Sequence, residues 1–335
     1  MNFIQFKPVH QKKPVASGKQ IRVPFQEILN AVPKSVSQKN SIGNENIPTV
    51  IDERPAFIPF HHIEYPIGYE DDPGDVTEYE HIIYRSMRQR ELKVEPALVT
   101  QTEITPNDRC ILIDNLCRLH YKAQLTTITF YRCVGILDHL TNKILISPYK
   151  YLLYGYTAMF IASKYEDVIP LRLKDAVEIS GNQFTIDDIK EAEIYLCSVI
   201  DFDFTFPTAI FFETIFLRLC GSQLTSEFFL LTRYIMELCM ITVDFISVHE
   251  SAIAAAAVMA ARTLFGMESW TEELAGYSQY SFQDLCPYVK KIHQMLLHKE
   301  NYENSFIKKK YSTSLFKNVA NVQVPENLPF PFQYF

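Results

Sequence analysis

Glycine is scarce, with 10 residues in 335. So few cannot supply the tight turns that an all-β fold uses repeatedly, so a helical chain is expected. Basic charge is not in excess either. Against 39 Asp and Glu stand 32 Lys and Arg, a net of −7, the wrong balance for a protein that neutralises phosphates along a nucleic acid. The seven cysteines, at 110, 117, 133, 197, 220, 239 and 286, include no C-x-x-C pair. Zinc and dithiol motifs are therefore missing, and an odd count leaves no complete disulfide framework, which fits a reducing compartment. The longest stretch without Asp, Glu, Lys or Arg, 151–163, has 13 residues, short of the roughly 20 that a membrane helix needs. The opening MNFIQFKPVHQKK has no apolar signal-peptide core. Walker loops, G-x-G-x-x-G turns and nucleophile elbows are absent as well. These absences argue against membrane, secreted, metal-binding and cofactor-dependent enzyme classes.

What is present divides unevenly along the chain. Nine of the 18 prolines fall in residues 1–75, among scattered polar residues with no lasting periodicity. Such a segment buries too little apolar surface to offset its ordering entropy, so 1–76 is expected to be mostly disordered. From about 77 the text becomes periodic at helical spacing. Helices are predicted near 77–93, 107–121, 125–141, 149–166, 171–180 and 185–201, then near 207–219, 224–243, 248–265, 270–277 and 282–299. Start signals mark them: Thr105-Pro106, Ser147-Pro148, Pro170, Pro207, and the S/T-x-x-acid pairs Thr185…Asp188, Ser247…Glu250 and Ser281…Asp284. Pro287 falls inside its predicted helix, so a bend or a later start is expected there.

The helices repeat. Offset by 98 residues, TAMFIASK at 157–164 falls on AAAVMAAR at 255–262, and YRCVGILDHL at 131–140 falls on FLLTRYIMEL at 229–238. Ala158 and Ala162 meet Ala256 and Ala260. Small residues four apart make a flat helix face that neighbours approach closely, the pattern of a central helix. The predicted fold is all-α: a leading helix and two tandem five-helix units. Expected boundaries are 77–205 for the first unit with its leading helix, 206–300 for the second, and 301–335 for a C-terminal tail.

Several stretches, in this order, carry a family resemblance: ASKYEDVIP at 162–170, EIYLCSVIDFDFTFPT at 193–208, SAIAAAAVMAARTLFGMESWTEELAGYSQYSFQDL at 251–285, and KKKYSTSLFKNVA at 308–320. Over roughly 77–322 the chain resembles a cyclin of the mitotic A/B type. The resemblance implies two tandem cyclin folds and a regulatory subunit, without catalytic centre or cofactor. Such a subunit grips a cyclin-dependent kinase around its C-helix and holds that helix inward. It implies cell-cycle control and a place in nucleus and cytoplasm, with no nucleic-acid or membrane partner. The alternatives are a cyclin of a transcription or metabolic kinase, or a nucleic-acid-binding transcription factor of cyclin fold. The acidic balance and the absence of a zinc ribbon speak against the last.

Residue by residue, Lys164 and Glu193 match the family's kinase-binding lysine and glutamate. Ile161 would line the apolar pocket for the C-helix, and Phe202 and Phe204 match apolar contact positions. Arg109 and Asp138 match an internal ion pair between the first two helices of the box. The family's substrate-docking patch, a run like M-R-A-I-L-V-D-W-L, here reads DRCILIDNL at 108–116. Ile111 and Leu112 remain, but Asp108, Asn115 and Leu152 stand where Met, Trp and Gln are usual, and Arg118 where an acid receives the peptide's arginine. Docking of Arg-x-Leu peptides is therefore expected to be weakened. RVPFQEILN at 22–30 resembles the destruction box that directs mitotic cyclins to ubiquitin-ligase machinery, through Arg22, Glu27, Ile28 and Asn30, with Phe25 in place of leucine. The KEN at 299–301 is read as coincidence, His61-His62 as solvated, Cys110 and Cys117 as core thiols, and Lys308-Lys309-Lys310 as a solvated tail rather than a nuclear signal.

Overall fold

A computed structural model describes residues 77–221 and 224–328, and every regular element in them is helical. The leading helix is α1 (Thr77–Glu91). The first unit follows as α2 (Pro106–Ala123), α3 (Thr127–Lys143), α4 (Pro148–Glu166), α5 (Leu173–Ile179) and α6 (Ile186–Val199). The second is α7 (Ala209–Leu219), α8 (Ser226–Met240), α9 (Glu250–Leu264), α10 (Glu272–Ser278) and α11 (Phe282–Leu297), and a short α12 (Phe306–Tyr311) ends the set. At an offset of 98 residues, α2–α6 fall on α7–α11 in order. The segment 1–76, the destruction-box-like residues and His61-His62 lie outside the described residues.

Local chemistry explains most of the starts. Thr105, Thr185 and Ser281 each accept a hydrogen bond from the amide three residues on, and Asp108, Asp188 and Asp284 reach back to the cap amide. These reciprocal pairs satisfy amides that a helix end otherwise leaves bare. Ser247 does not act this way: α9 starts at Glu250 behind His249, with no side-chain cap. Pro287 neither delays nor ends α11, which begins five residues before it at the Ser281 box and runs through it. The helices after Pro170 and Pro207 begin two or three residues later than those prolines.

Each unit wraps helices around a central one. In the first, α4 packs against α2, α3, α5 and α6; in the second, α9 packs against α7, α8 and α11. Ala158, Ala162, Ala256 and Ala260 are all buried, as the flat-face reading requires. In the central helix α4, Gly155 has no side chain because Leu112 fills the space: a Cβ there would come 2.9 Å from a Leu112 methyl.

The chain ends cross over. Helix α1 precedes the first unit in sequence, yet its buried side chains meet the second. Tyr84 packs against Phe212, Phe216 and Tyr277, and its hydroxyl donates to the Ser278 carbonyl at 3.1 Å. Glu91 accepts from the Ser251 amide and hydroxyl, both at 2.7 Å, and Arg88 donates to the Tyr280 hydroxyl at 2.7 Å. Conversely, α12 follows the second unit yet caps the first. Asp114 on α2 accepts from the Phe306 and Ile307 amides at 2.8 and 3.1 Å.

The basic run is thus no solvated tail. Lys308 and Lys310 are buried and only Lys309 is exposed. Lys310 donates to both carboxylate oxygens of buried Glu237, at 2.7 and 2.9 Å, and the Tyr311 hydroxyl donates to the same group at 2.8 Å. Burial opposes the Lys310 charge, but Glu237 outweighs it and holds the ammonium pKa above its usual value.

Candidate functional site

All seven cysteines are buried free thiols, and burial pushes the Cys110 thiol up to about 11, far from a thiolate nucleophile. Among the described residues no group of three or more His, Cys, Asp or Glu is arranged to hold a metal ion, and no helix is long and apolar enough to cross a membrane.

The distinctive surface lies where the C-terminal end of α4 meets α6. Lys164 and Glu193, 29 residues apart, form a salt bridge there. Lys164 is exposed, Glu193 half-buried, and the ammonium stands 4.5 Å from the Phe160 ring centroid. Apolar side chains that a solitary globular chain would hide stand exposed in the same stretches: the turn after α4, the helix α6 and the loop that follows it. Val168 is 99% exposed, Ile169 84%, Ile194 72% and Phe202 69%. Tyr165 and Tyr195 are exposed as well. A cluster of this kind marks a surface that a partner covers.

The run ASKYEDVIP builds that surface by fastening its own loop. Ser163 is buried, and its hydroxyl accepts the Leu171 amide at 3.1 Å, closing the turn after α4. Asp167 accepts the Thr126 amide at 2.8 Å and the Thr129 hydroxyl at 2.6 Å, tying the same turn to the start of α3. Between these two ties Val168 and Ile169 have nowhere to fold back, so they stand in water. The sequence reading missed them, along with Ile194 and Tyr195. The available signal was an apolar pair between an acid and a proline, outside any helical period.

The other expected residues are distributed as follows. Phe202 is exposed and lies in the left-handed region at φ 55°, next to Asp201 at φ 54°. Phe204 is half-buried, with its ring 5.3 Å from that of Tyr165. Ile161 is 4% exposed; it belongs to the core beneath Lys164, one turn before it, rather than to the exposed surface. Arg109 and Asp138 meet through two parallel bonds, Nε–Oδ1 at 2.7 Å and Nη2–Oδ2 at 2.6 Å. Arg109 also donates to the Met240 carbonyl of the second unit at 2.8 Å, so the pair pins the two units together. Burial opposes that guanidinium charge, and Asp138 more than restores it.

The docking-patch expectation needs correction at Leu112. Its side chain is fully buried against Gly155 of α4, so no peptide reaches it. Ile111 is half-buried. Asn115 turns its amide back onto the Ile111 carbonyl at 3.0 Å, and Arg118 lies 5.6 Å from the Phe306 ring centroid, under the α12 segment. Leu152 is core.

Comparison with known proteins places most of the described region. Residues 82–205 match the N-terminal domain of cyclins and 207–325 the C-terminal domain. A G2/mitotic-specific cyclin-B of Patella vulgata is 32% identical over 76% of this chain, and cyclin-A1 of Mus musculus is 30% identical over 79%. The matched regions cover 62% and 64% of those relatives, so the chain spans about three-fifths of their length. The X-ray structure of a viral cyclin from herpesvirus saimiri superposes with a TM-score of 0.57, over 64% of this chain and 97% of that one. At 18% identity this is a likeness of fold.

Proposed function

The chain belongs to the cyclin family, and we propose that it is the regulatory, non-catalytic subunit of a cyclin-dependent serine/threonine kinase acting in the mitotic cell cycle. The observation that carries this reading is the Lys164–Glu193 pair at the surface, with Val168, Ile169, Ile194 and Phe202 exposed in the adjoining turn, helix and loop. Its relatives are named as G2/mitotic-specific and A-type cyclins, which favours the mitotic kinase over a transcription or metabolic one.

The mechanism follows from what a kinase needs. ATP is held productively only when the kinase's β3-strand lysine pairs with a glutamate on its C-helix. A partner surface that fits only the inward C-helix shifts that equilibrium. Moving a mostly inactive kinase to a mostly active one takes roughly 5 kcal/mol of differential binding, within reach of an interface of about 2,000 Å² or more. On this reading Lys164 donates to, and Glu193 accepts from, backbone groups of the kinase, while the exposed apolar residues supply the buried area. Phe204 joins them at the edge. The same reading includes turnover directed by Arg22–Asn30 through ubiquitin-ligase machinery, and a place in nucleus and cytoplasm. It also includes weak docking of Arg-x-Leu peptides, since Arg118 meets their arginine with a like charge.

The test is reconstitution. The purified chain alone should transfer no phosphate, and adding it to a purified cyclin-dependent kinase catalytic subunit should raise phosphorylation of a peptide substrate. Kinase activity left unchanged across a panel of such subunits would overturn the proposal.

A further inference from the structure

The surface proposed above is built from two stretches distant in sequence: the end of α4 with its turn, and the loop 201–206 after α6. Nothing in the covalent chain makes them one surface. We propose that Arg132, on α3 and outside every motif that carries the family resemblance, is the positioning residue that joins them. This inference rests on the kinase-binding reading of the surface.

One guanidinium reaches both sides. Towards α4, Arg132 Nε donates to Glu166 at 2.7 Å, and the guanidinium carbon lies 5.4 Å from the Tyr165 ring centroid. Towards the loop, Nη1 donates to the carbonyls of Phe204 and of Phe206, the latter at 3.1 Å, and the Phe206 ring centroid is 5.1 Å away. A planar fork with five donors serves these directions at once, which the single ammonium of a lysine does not. The pair is well inside the protein, with side-chain exposures of 12% for Arg132 and 13% for Glu166.

The loop needs such a hold. Asp201 and Phe202 both sit at positive φ without being glycine, a backbone conformation that persists only where its surroundings enforce it. Position 135 is cut to fit the same arrangement: a Cβ on Gly135 would come 2.2 Å from the Phe206 ring, so only glycine lets the loop lie this close to α3. Arg90 of α1 adds an exposed tie, donating to Thr205 Oγ1 at 2.8 Å, but it does not touch α4. Arg132 spans the two halves with side-chain bonds to both, and beside it Tyr165 and Phe204 meet ring to ring at 5.3 Å.

The second unit supplies an internal control. At the offset of 98 residues, Arg132 and Glu166 become Leu230 and Leu264, and Lys164 and Glu193 become Arg262 and Lys291. The second unit's equivalent helix pair packs without the ionic clasp. The clasp is found in the copy that carries the surface.

The experiment compares three variants of the full chain by titration against a purified cyclin-dependent kinase catalytic subunit, with chemical denaturation run on each. Arg132→Lys keeps the charge and loses the fork. Arg132→Leu with Glu166→Leu installs the second unit's solution and avoids stranding a charge. Phe202→Ala with Phe204→Ala removes the side chains that Arg132 is said to place. The first two should weaken kinase binding tenfold or more while the unfolding midpoint stays near wild type for the double leucine. Combined with Phe202→Ala and Phe204→Ala, the leucine pair should cost little more, because its effect passes through the placed loop. Wild-type binding by the leucine pair overturns the proposal, as does full additivity with the phenylalanine variant. A Lys164→Ala, Glu193→Ala control separates the two levels. If that control also binds normally, the surface reading itself fails; if it loses binding while the Arg132 variants keep it, only the role of Arg132 fails.

Discussion

The two five-helix units share an architecture and dispose of charge in opposite ways. The first keeps its distinctive ion pair, Lys164–Glu193, at the surface. The second has Arg262 and Lys291 at the same places, and Arg262 is turned inward, 3% exposed, donating to the Glu268 carbonyl at 2.7 Å. The second unit instead buries acids. Glu213 and Glu237 are fully buried, and Glu250 points its carboxylate inward to the Ala209 amide at 2.8 Å. The first unit has Asn115, His139 and Leu152 there. One repeat keeps its ion pair outward while its twin turns charge inward. Each acid receives a donor, Glu213 from Arg233, Glu250 from the Ala209 amide and Glu237 from Lys310 of the trailing helix, so the second unit is where the fold is gathered together.

The largest effect should come from breaking an exception, the first unit's inward ion pair at the unit junction, Arg109–Asp138. Arg109→Ala strands Asp138 in the unit junction and should cost about 3–5 kcal/mol in urea unfolding. The second unit occupies the equivalent positions with Pro207 and Met236, both buried. Arg109→Leu with Asp138→Met should therefore recover at least half of that loss. A double variant as unstable as Arg109→Ala would mean that the bond to the Met240 carbonyl, not the ion pair, carries the junction.

Next comes Glu250. Burial pushes its carboxyl up to about 7, against the lowering effect of the Ala209 amide, while Glu91 and Asp138 raise it and Arg109 lowers it. A folded-state value above the ordinary 4.5 means that the folded chain holds the proton more tightly than the unfolded one. The resulting stability is complete below about pH 4.5 and is lost as pH rises through about 7. Glu250→Gln stays neutral and keeps an acceptor for Ala209. Relative to that variant, the wild type should lose roughly 2 kcal/mol between acid and alkaline conditions, allowing for partial exposure. Parallel pH profiles would show that Glu250 does not titrate in this range.

The recognition side is tested by a matched pair of substitutions. Lys164→Ala with Glu193→Ala should weaken kinase binding tenfold or more, about 1.4 kcal/mol, and leave unfolding within about 0.5 kcal/mol of wild type, because exposed pairs contribute little to stability. Lys291→Ala, at the second unit's equivalent of Glu193, should change neither. Equal losses of binding from both would mean that the second unit also contacts the kinase.

The difference between the units also governs what could be seen in the sequence. Helix positions and the repeat were legible because apolar periodicity reports burial directly, and Lys164 and Glu193 because they sit inside dense motifs. Glu237, Lys308 and Lys310 were not. A charged residue looks the same in sequence whether water or a buried partner satisfies it; Glu237 and Lys310 lie 73 residues apart, while Lys308 meets Glu303 five residues away. Arg132 escaped notice for the same reason, since two of its acceptors are backbone carbonyls. Leu112 misled in the other direction: it matched a surface motif, but Gly155 opens a space in α4 that draws it inward.

The smallest effects should separate the two crossed ends. Tyr84→Phe removes one hydrogen bond, to the Ser278 carbonyl, and keeps the ring between Phe212 and Tyr277. Asp114→Asn keeps an acceptor for the Phe306 and Ile307 amides but gives up the charge. Burial already raises the Asp114 pKa, and those amides pull it back, so the net loss should be small. Each should cost about 1 kcal/mol. The location of the damage should differ. Amide hydrogen exchange should quicken in α1 and α10 for Tyr84→Phe, and in α12 alone for Asp114→Asn. The leading helix is held by the second unit and the trailing helix straddles both, through Asp114 on one side and Glu237 on the other. With Glu237 still gripping Lys310, α12 should loosen at its start and stay docked at its end. Exchange that rises across α1 in the Asp114 variant would show that the two ends are coupled and that the units do not hold them independently.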